Sequence, residues 1–186
     1  MERNEAVRKM VHMCAPLFAL LYLIPEDLGF TSRDVVVVTA WLLFALFEAY
    51  RIRKKIPIPG LREYEYGRPS AAFWMISAFV PMILFFPVEY ALPLLAGFGF
   101  VDPLIGILRK RQSKLYPALP LITYYVIFVT IFAIMTEATW NVMLLAVIVT
   151  ISAIIAEGIK NKIVDDDFLM LFVPLVVLWI SGSLLI

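Results

Sequence analysis

The chain has 186 residues, 62% of them hydrophobic and 17% charged, whereas an ordinary soluble domain carries about 45–50% apolar and about 25% charged residues, so the composition argues against a water-soluble fold. Its length suits one domain, 1–186, and apolar runs fill so much of it that no separate soluble module fits. The net charge of +1 is uninformative as a sum because the charges are unevenly placed, and a single cysteine, Cys14, excludes an intrachain disulfide or a cysteine metal site.

Apolar runs separated by charged clusters predict about seven spans, at residues 11–24, 35–50, 71–86, 90–108, 119–135, 141–156 and 168–185. The expected fold is an all-α polytopic transmembrane bundle. Several runs fall short of the ~20 residues that cross a ~30 Å hydrocarbon core, which requires their flanks to be helical too.

Arg3, Arg8 and Lys9 precede the first run as in a signal peptide, but no small-residue cleavage site follows and further spans come after it, so it reads as a retained helix. On a helix Arg8 and His12 share a face, with Lys9 three residues from His12. That stack suits a phosphate; the plainer reading is a pair of membrane-anchoring cations and an interfacial histidine.

Glu48 and Arg51, three apart at the end of the second run, are spaced for an ion pair, and Arg53, Lys54 and Lys55 suit anchoring at a lipid surface. The connection from Arg51 to Ser70 holds Pro57, Pro59 and Gly60, which interrupt helix, and a loop of that length is often functional.

The fourth run contains Asp102-Pro103, about 10 Å below the basic residue Arg109 at helical rise. An intramembrane carboxylate is costly and is a functional hypothesis by default, the alternative being a structural pairing with a helix-end arginine. Pro103 predicts a kink, and Gly97 and Gly99 would admit another backbone or a ligand. Arg109, Lys110, Arg111 and Lys114 follow. Before the last run stand Glu157 and Asp165-Asp166-Asp167, hard oxygen ligands of the kind that suit Mg2+, or else a solvated run favourably placed at a helix N-terminus.

Seven spans with a cytoplasmic N-terminus place every lysine and arginine except Arg33 on the inner side, Lys160 and Lys162 included, and leave Glu26, Asp27, Asp34, Glu89 and Glu137 on short outer turns. Phosphate-binding glycine loops and the HExxH and GxSxG motifs are absent, and the aromatics lie in apolar runs rather than among basic residues, so nucleic-acid binding has no support.

Taken in order, Arg8-Lys9-x-x-His12, Phe47-Glu48-x-x-Arg51, Arg62-Glu63-x-Glu65, Gly99-Phe100-Val101-Asp102-Pro103, the basic turn 109–114, and Glu157 with Asp165-Asp166-Asp167 resemble the CTP-dependent membrane lipid kinases, the family of dolichol, phytol and yeast-type diacylglycerol kinases, which itself is distantly similar to phosphatidate cytidylyltransferases. The family usually has Gly-Asp where this chain has Val101-Asp102, and Asp-Asp-Asn where it has three aspartates. The resemblance implies Mg2+-assisted phosphoryl transfer from CTP to a lipid alcohol, most of all a polyprenol or dolichol-type isoprenoid, at the cytoplasmic face of a cell membrane, or of an endoplasmic-reticulum-type membrane in a eukaryote. It implies metal binding by Asp102 and Asp166 with Asp165 and Asp167 beside them, phosphate binding by Arg8, Lys9, Lys110, Arg111 and Lys114, and handling of the hydroxyl proton by His12 or Glu157. The rivals are a transferase forming a CDP-lipid, and a non-catalytic transporter or scaffold whose Asp102 lines a path.

Overall fold

In the computed structural model, which describes residues 2–136, 139–160 and 164–185, the polypeptide is helical throughout. The α-helices are α1 (Glu2–Met13), α2 (Arg33–Lys54), α3 (Ala71–Phe85), α4 (Val88–Lys110), α5 (Ala118–Met135), α6 (Trp140–Gly158) and α7 (Asp166–Leu185), with 3₁₀ segments at Ala15–Leu23 and Glu63–Gly67. Among the described residues there is no strand. Glu137 and Lys162 lie outside them, as does the side chain of Arg3.

Among the described residues, five stretches are long and apolar enough to cross a membrane: Glu5–Leu23, Arg33–Lys54, Val88–Lys110, Ala118–Met135 and Trp140–Gly158. The helices outrun the apolar runs because the charged flanks are helical as well: α2 and α4 reach 22 and 23 residues, about 33–35 Å at helical rise. Ser32, Ser70 and Thr139 start α2, α3 and α6 by accepting the backbone N–H three residues on, which satisfies one of the orphan donors of a helix start.

The first apolar run departs from the single helix expected. It is α-helical to Met13 and then a 3₁₀ segment of 9 residues. Pro16 has no N–H to give the His12 carbonyl, so the α-helical ladder breaks there. The 3₁₀ rise of ~2.0 Å per residue stretches the segment to ~18 Å, against ~14 Å as α-helix, and lengthens a run that was short.

α4 is the centre of the bundle. It packs against α1 and its 3₁₀ continuation, α5 and α7, while α6 packs along α7 and α3 on α7. Leu94, Leu95, Phe98, Val101 and Ile105 of α4 are fully buried, with Tyr124 and Phe128 of α5. Gly97 receives the Tyr124 ring where a Cβ would lie 2.6 Å from it. Outward, Leu42, Leu43 and Leu46 of α2, Ile122 and Val126 of α5, and Ile148 and Ile151 of α6 are exposed, the apolar exterior of a helical membrane bundle.

The loop between α2 and α3 is held by a buried ion pair. Arg51, 0% exposed, donates from Nε and Nη2 to Glu48 at 2.8 Å, and its guanidinium also reaches the carbonyls of Glu65 and Arg68 at 3.0 and 2.7 Å. Glu48 in turn accepts from Ser70 N–H, and Glu65 from the N–H groups of Arg62 and Ala71. The charged groups here are used on one another and on the loop's own backbone. Removing one partner leaves an uncompensated buried charge, so Arg51→Met is expected to cost about 3–5 kcal/mol. The check is a thermal melt in detergent, with proteolysis between Ile56 and Arg68 rising in parallel.

Candidate functional site

The basic ends of α1, α2 and α4, the loop after α2 and the start of α7 gather at one end of the bundle, tied by cross-element ion pairs: Lys110–Glu5 at 3.1 Å, Arg62–Asp165 at 3.4 Å and Arg109–Glu157 at 2.6 Å. Just inside them lies His12, 3% exposed. Its Nδ1 is 2.7 Å from Asp102 Oδ2 of α4, and its Nε2 is 3.3 Å from Asp167 Oδ2 of α7. An ionised carboxylate only accepts, so Nδ1–H donates to Asp102; Nε2 makes no hydrogen bond to Asp167 Oδ2 at 3.3 Å. The imidazole also stacks on Phe98, with ring centroids 5.2 Å apart.

Two sequence features let α1 come so close to α4. The His12 carbonyl, which Pro16 cannot satisfy, lies against Gly99, where a Cβ would sit 2.7 Å from that oxygen. Gly99→Ala would gain helix propensity but must push the two backbones apart. A net loss of about 1–3 kcal/mol is expected, read as a lower melting temperature together with lost activity.

Asp165 begins α7: its Oδ1 accepts from the Asp167 N–H at 3.2 Å, a cap at a helix end that favours negative charge. Burial, with the charges of Asp167 and Asp166, pushes the Asp165 carboxyl up to about 8. Arg62 lies 3.4 Å from Asp165 and 4.0 Å from Asp166. One arginine thus faces two carboxylates, and Asp167 Oδ2 is buried without a hydrogen-bond partner among the described residues.

These features fit a divalent cation. Ligand oxygens of Asp165, Asp166 and Asp167 lie within 4.8 Å of one another, as do ligand atoms of His12, Asp102 and Asp167. Asp167 belongs to both groups. Hard oxygen donors of this kind suit Mg2+.

Glu157 is 4% exposed, with one oxygen held by Arg109 and the other buried without a hydrogen-bond partner among the described residues. Arg109 also donates to the Tyr116 hydroxyl at 2.6 Å and lies over that ring.

The cations expected at the site divide. Arg8 lines a cavity beside His12. Lys9 and Lys110 both donate to Glu5, at 2.9 and 3.1 Å, and Arg111 and Lys114 are exposed at the end of α4. None of the last four lines a cleft of about 550 Å³ whose polar walls are Arg62, Tyr64, Arg68, Lys160, Asp165 and Asp166. Arg68 and Lys160 were not singled out from sequence; the legible signal was Arg62, in the loop that Glu65 and Arg51 hold. No protein-family model, curated protein or solved structure matches the chain, so the site stands on its own geometry.

Proposed function

We propose that the chain is a seven-span membrane phosphotransferase, with its N-terminus cytoplasmic, that moves the γ-phosphoryl group of CTP to the hydroxyl of a membrane lipid alcohol. The observation that carries this reading is the meeting of His12, Asp102 and Asp167, from three separate helices, beside a cleft walled by both carboxylates and cations. A path for ions would not need Arg62, Arg68 and Lys160 around the acids. The positive-inside distribution of the chain supports a cytoplasmic position for that end, where nucleotide is available. The motif order that resembles the CTP-dependent lipid kinases supports the same choice of donor and acceptor.

Phosphoryl transfer asks mainly for positioning and for neutralised charge. Arg62, Arg68 and Lys160 would hold the triphosphate in the cleft. His12 Nε2 would take the alcohol proton as the oxygen–phosphorus bond forms and the bond from phosphorus to the β,γ-bridging oxygen breaks, releasing CDP. Asp102 would fix the imidazole tautomer through Nδ1 and stabilise the charge it gains. His12 suits this role better than Glu157, whose carboxylate is already held by Arg109. Asp165, Asp166 and Asp167 would hold Mg2+, which, when bound, neutralises phosphate charge.

Purified protein in liposomes with a prenol panel, Mg2+ and labelled CTP tests the reading. Label from the γ position in lipid supports the kinase, label from the α position supports a CDP-lipid transferase, and no label from either removes both. Arg62→Ala is expected to raise the KM for nucleotide about tenfold or more, from lost charge-assisted hydrogen bonds. Lys110→Ala should cost less, because Lys110 is exposed and engaged by Glu5. Equal losses would move the phosphate site toward α4.

A further inference from the structure

Two cavities on the side of His12 that faces α2 adjoin at Phe44. One, of about 180 Å³, is walled by Val7, Val11, Phe44, Phe47 and Met75 and reaches His12 and Arg8. The other, of about 310 Å³, descends between α2, α3 and the 3₁₀ segment, with Phe18, Val37, Ala40, Ile76 and Val80 in its walls. Phe44 lines both. From Val36 to Glu48 along α2 is about 18 Å of helical rise, roughly the depth of one leaflet of a ~30 Å hydrocarbon core.

Polarity is confined to the upper end. Glu48, Glu65 and Ser70 border the upper cavity but are spent on the loop network around Arg51. The Trp41 indole N–H, in the lower wall, donates to Ser77 Oγ, and the Ser77 hydroxyl donates to the Phe73 carbonyl. His12 and Arg8 are therefore the groups an occupant's head would meet, and the walls below are apolar. Ester carbonyls a few bonds beneath a glycerolipid head would be buried there without donors, which is costly. A chain that is polar only at its tip is not penalised.

Resting on the phosphotransferase reading, we infer that this groove is the acceptor seat: a single-chain lipid alcohol lies along α2 with its tail between Ala40 and Val80 and brings its hydroxyl to His12 from the α2 side. It enters sideways from the bilayer, since Ala40, in the wall of the lower cavity, is exposed. The nucleotide occupies the cleft between Arg62 and Lys160, so donor and acceptor come to the site from different openings.

A geranylgeraniol analogue with a diazirine in its tail, photolysed with the protein in liposomes, locates the tail without requiring turnover. Adducts on the segments holding Val37, Ala40, Ile76 and Val80, displaced by geranylgeraniol and not by phosphatidylcholine, are expected. Ala40→Trp, at an exposed position where folding is not at stake, should abolish most of that labelling. It should also lower kcat/KM for geranylgeraniol at least about tenfold more than for the single-unit prenyl alcohol, whose tail is too short to reach it. Adducts on the outer faces of α5 and α6, or equal displacement by phosphatidylcholine, would overturn the seat while leaving the phosphotransferase reading intact if label still passes from CTP. Adducts in the groove without any phosphoryl transfer would uphold an alcohol site and overturn the enzyme reading on which the acceptor role rests.

Discussion

Asp167→Asn is expected to lower phosphoryl transfer by about 10²–10³-fold, the size of effect seen when one preorganised electrostatic group is removed, and to leave the melting temperature unchanged or higher. The two halves of this expectation have one cause. Asp167 is 2% exposed, and its Oδ2 has no hydrogen-bond partner among the described residues. His12 Nε2 lies 3.3 Å from it without a hydrogen bond. A buried charge so placed is a cost to the fold, and an amide of the same shape removes most of it. It is the trade of stability for activity found where a site must be charged to work. Asp165→Asn should behave differently, because Asp165 caps α7 through its Oδ1; activity and stability should change together. Initial rates at saturating Mg2+ and CTP, set beside thermal unfolding in detergent, separate the cases. If Asp167→Asn keeps activity within about threefold, less than one charge-assisted contact is worth, metal binding at α7 is wrong. If it instead melts the bundle, Asp167 is a structural partner of His12.

The fold was legible where hydropathy decides it. All the apolar runs appear as helices, because burial of the backbone in an apolar environment leaves little choice but to satisfy each N–H within the segment. The 3₁₀ stretch after Met13 was less legible: Pro16 was visible in the sequence, but a proline can kink, end or tighten a helix, and packing against α4 chooses among these. Within the candidate site, His12 at the entry to the first apolar run and Asp102 inside the fourth were each conspicuous, whereas their pairing across 90 residues of chain, at 2.7 Å, was not. Gly99 carried a usable signal, since a glycine beside an intramembrane acid marks a close approach, here by the His12 backbone. Which cations wall the cleft was not legible, for a physical reason. Lys110 closes the Asp102 helix and Lys114 lies in the turn beyond it, and both are exposed there. The loop between α2 and α3 instead folds back over α7, held by Glu48, Arg51 and Glu65, and brings Arg62 to Asp165. A loop's return path is set by such buried pairs, and spacing along the chain does not disclose it.

His12→Gln is expected to lower kcat by about 10²–10⁴-fold, the usual contribution of a positioned general base, with the KM for nucleotide changed far less. The imidazole is placed for proton transfer and for little else: Asp102 holds Nδ1, Phe98 stacks on the ring, and the groove along α2 ends beside it. A purely structural histidine in the same position would give a different pattern. Asp102→Asn, which keeps an acceptor for Nδ1 but removes the charge that stabilises an imidazolium, should lose less than His12→Gln. The double variant should be no worse than His12→Gln alone, because residues acting as one unit are not additive. The decisive readout is acceptor acidity. A prenol analogue with fluorines beside its carbinol carbon gives up its proton more readily, so it should recover a large part of the rate in His12→Gln and little in the parent protein. A loss that is the same for both alcohols would mean that His12 positions helices rather than protons, and the catalytic role would pass to another group near Asp167.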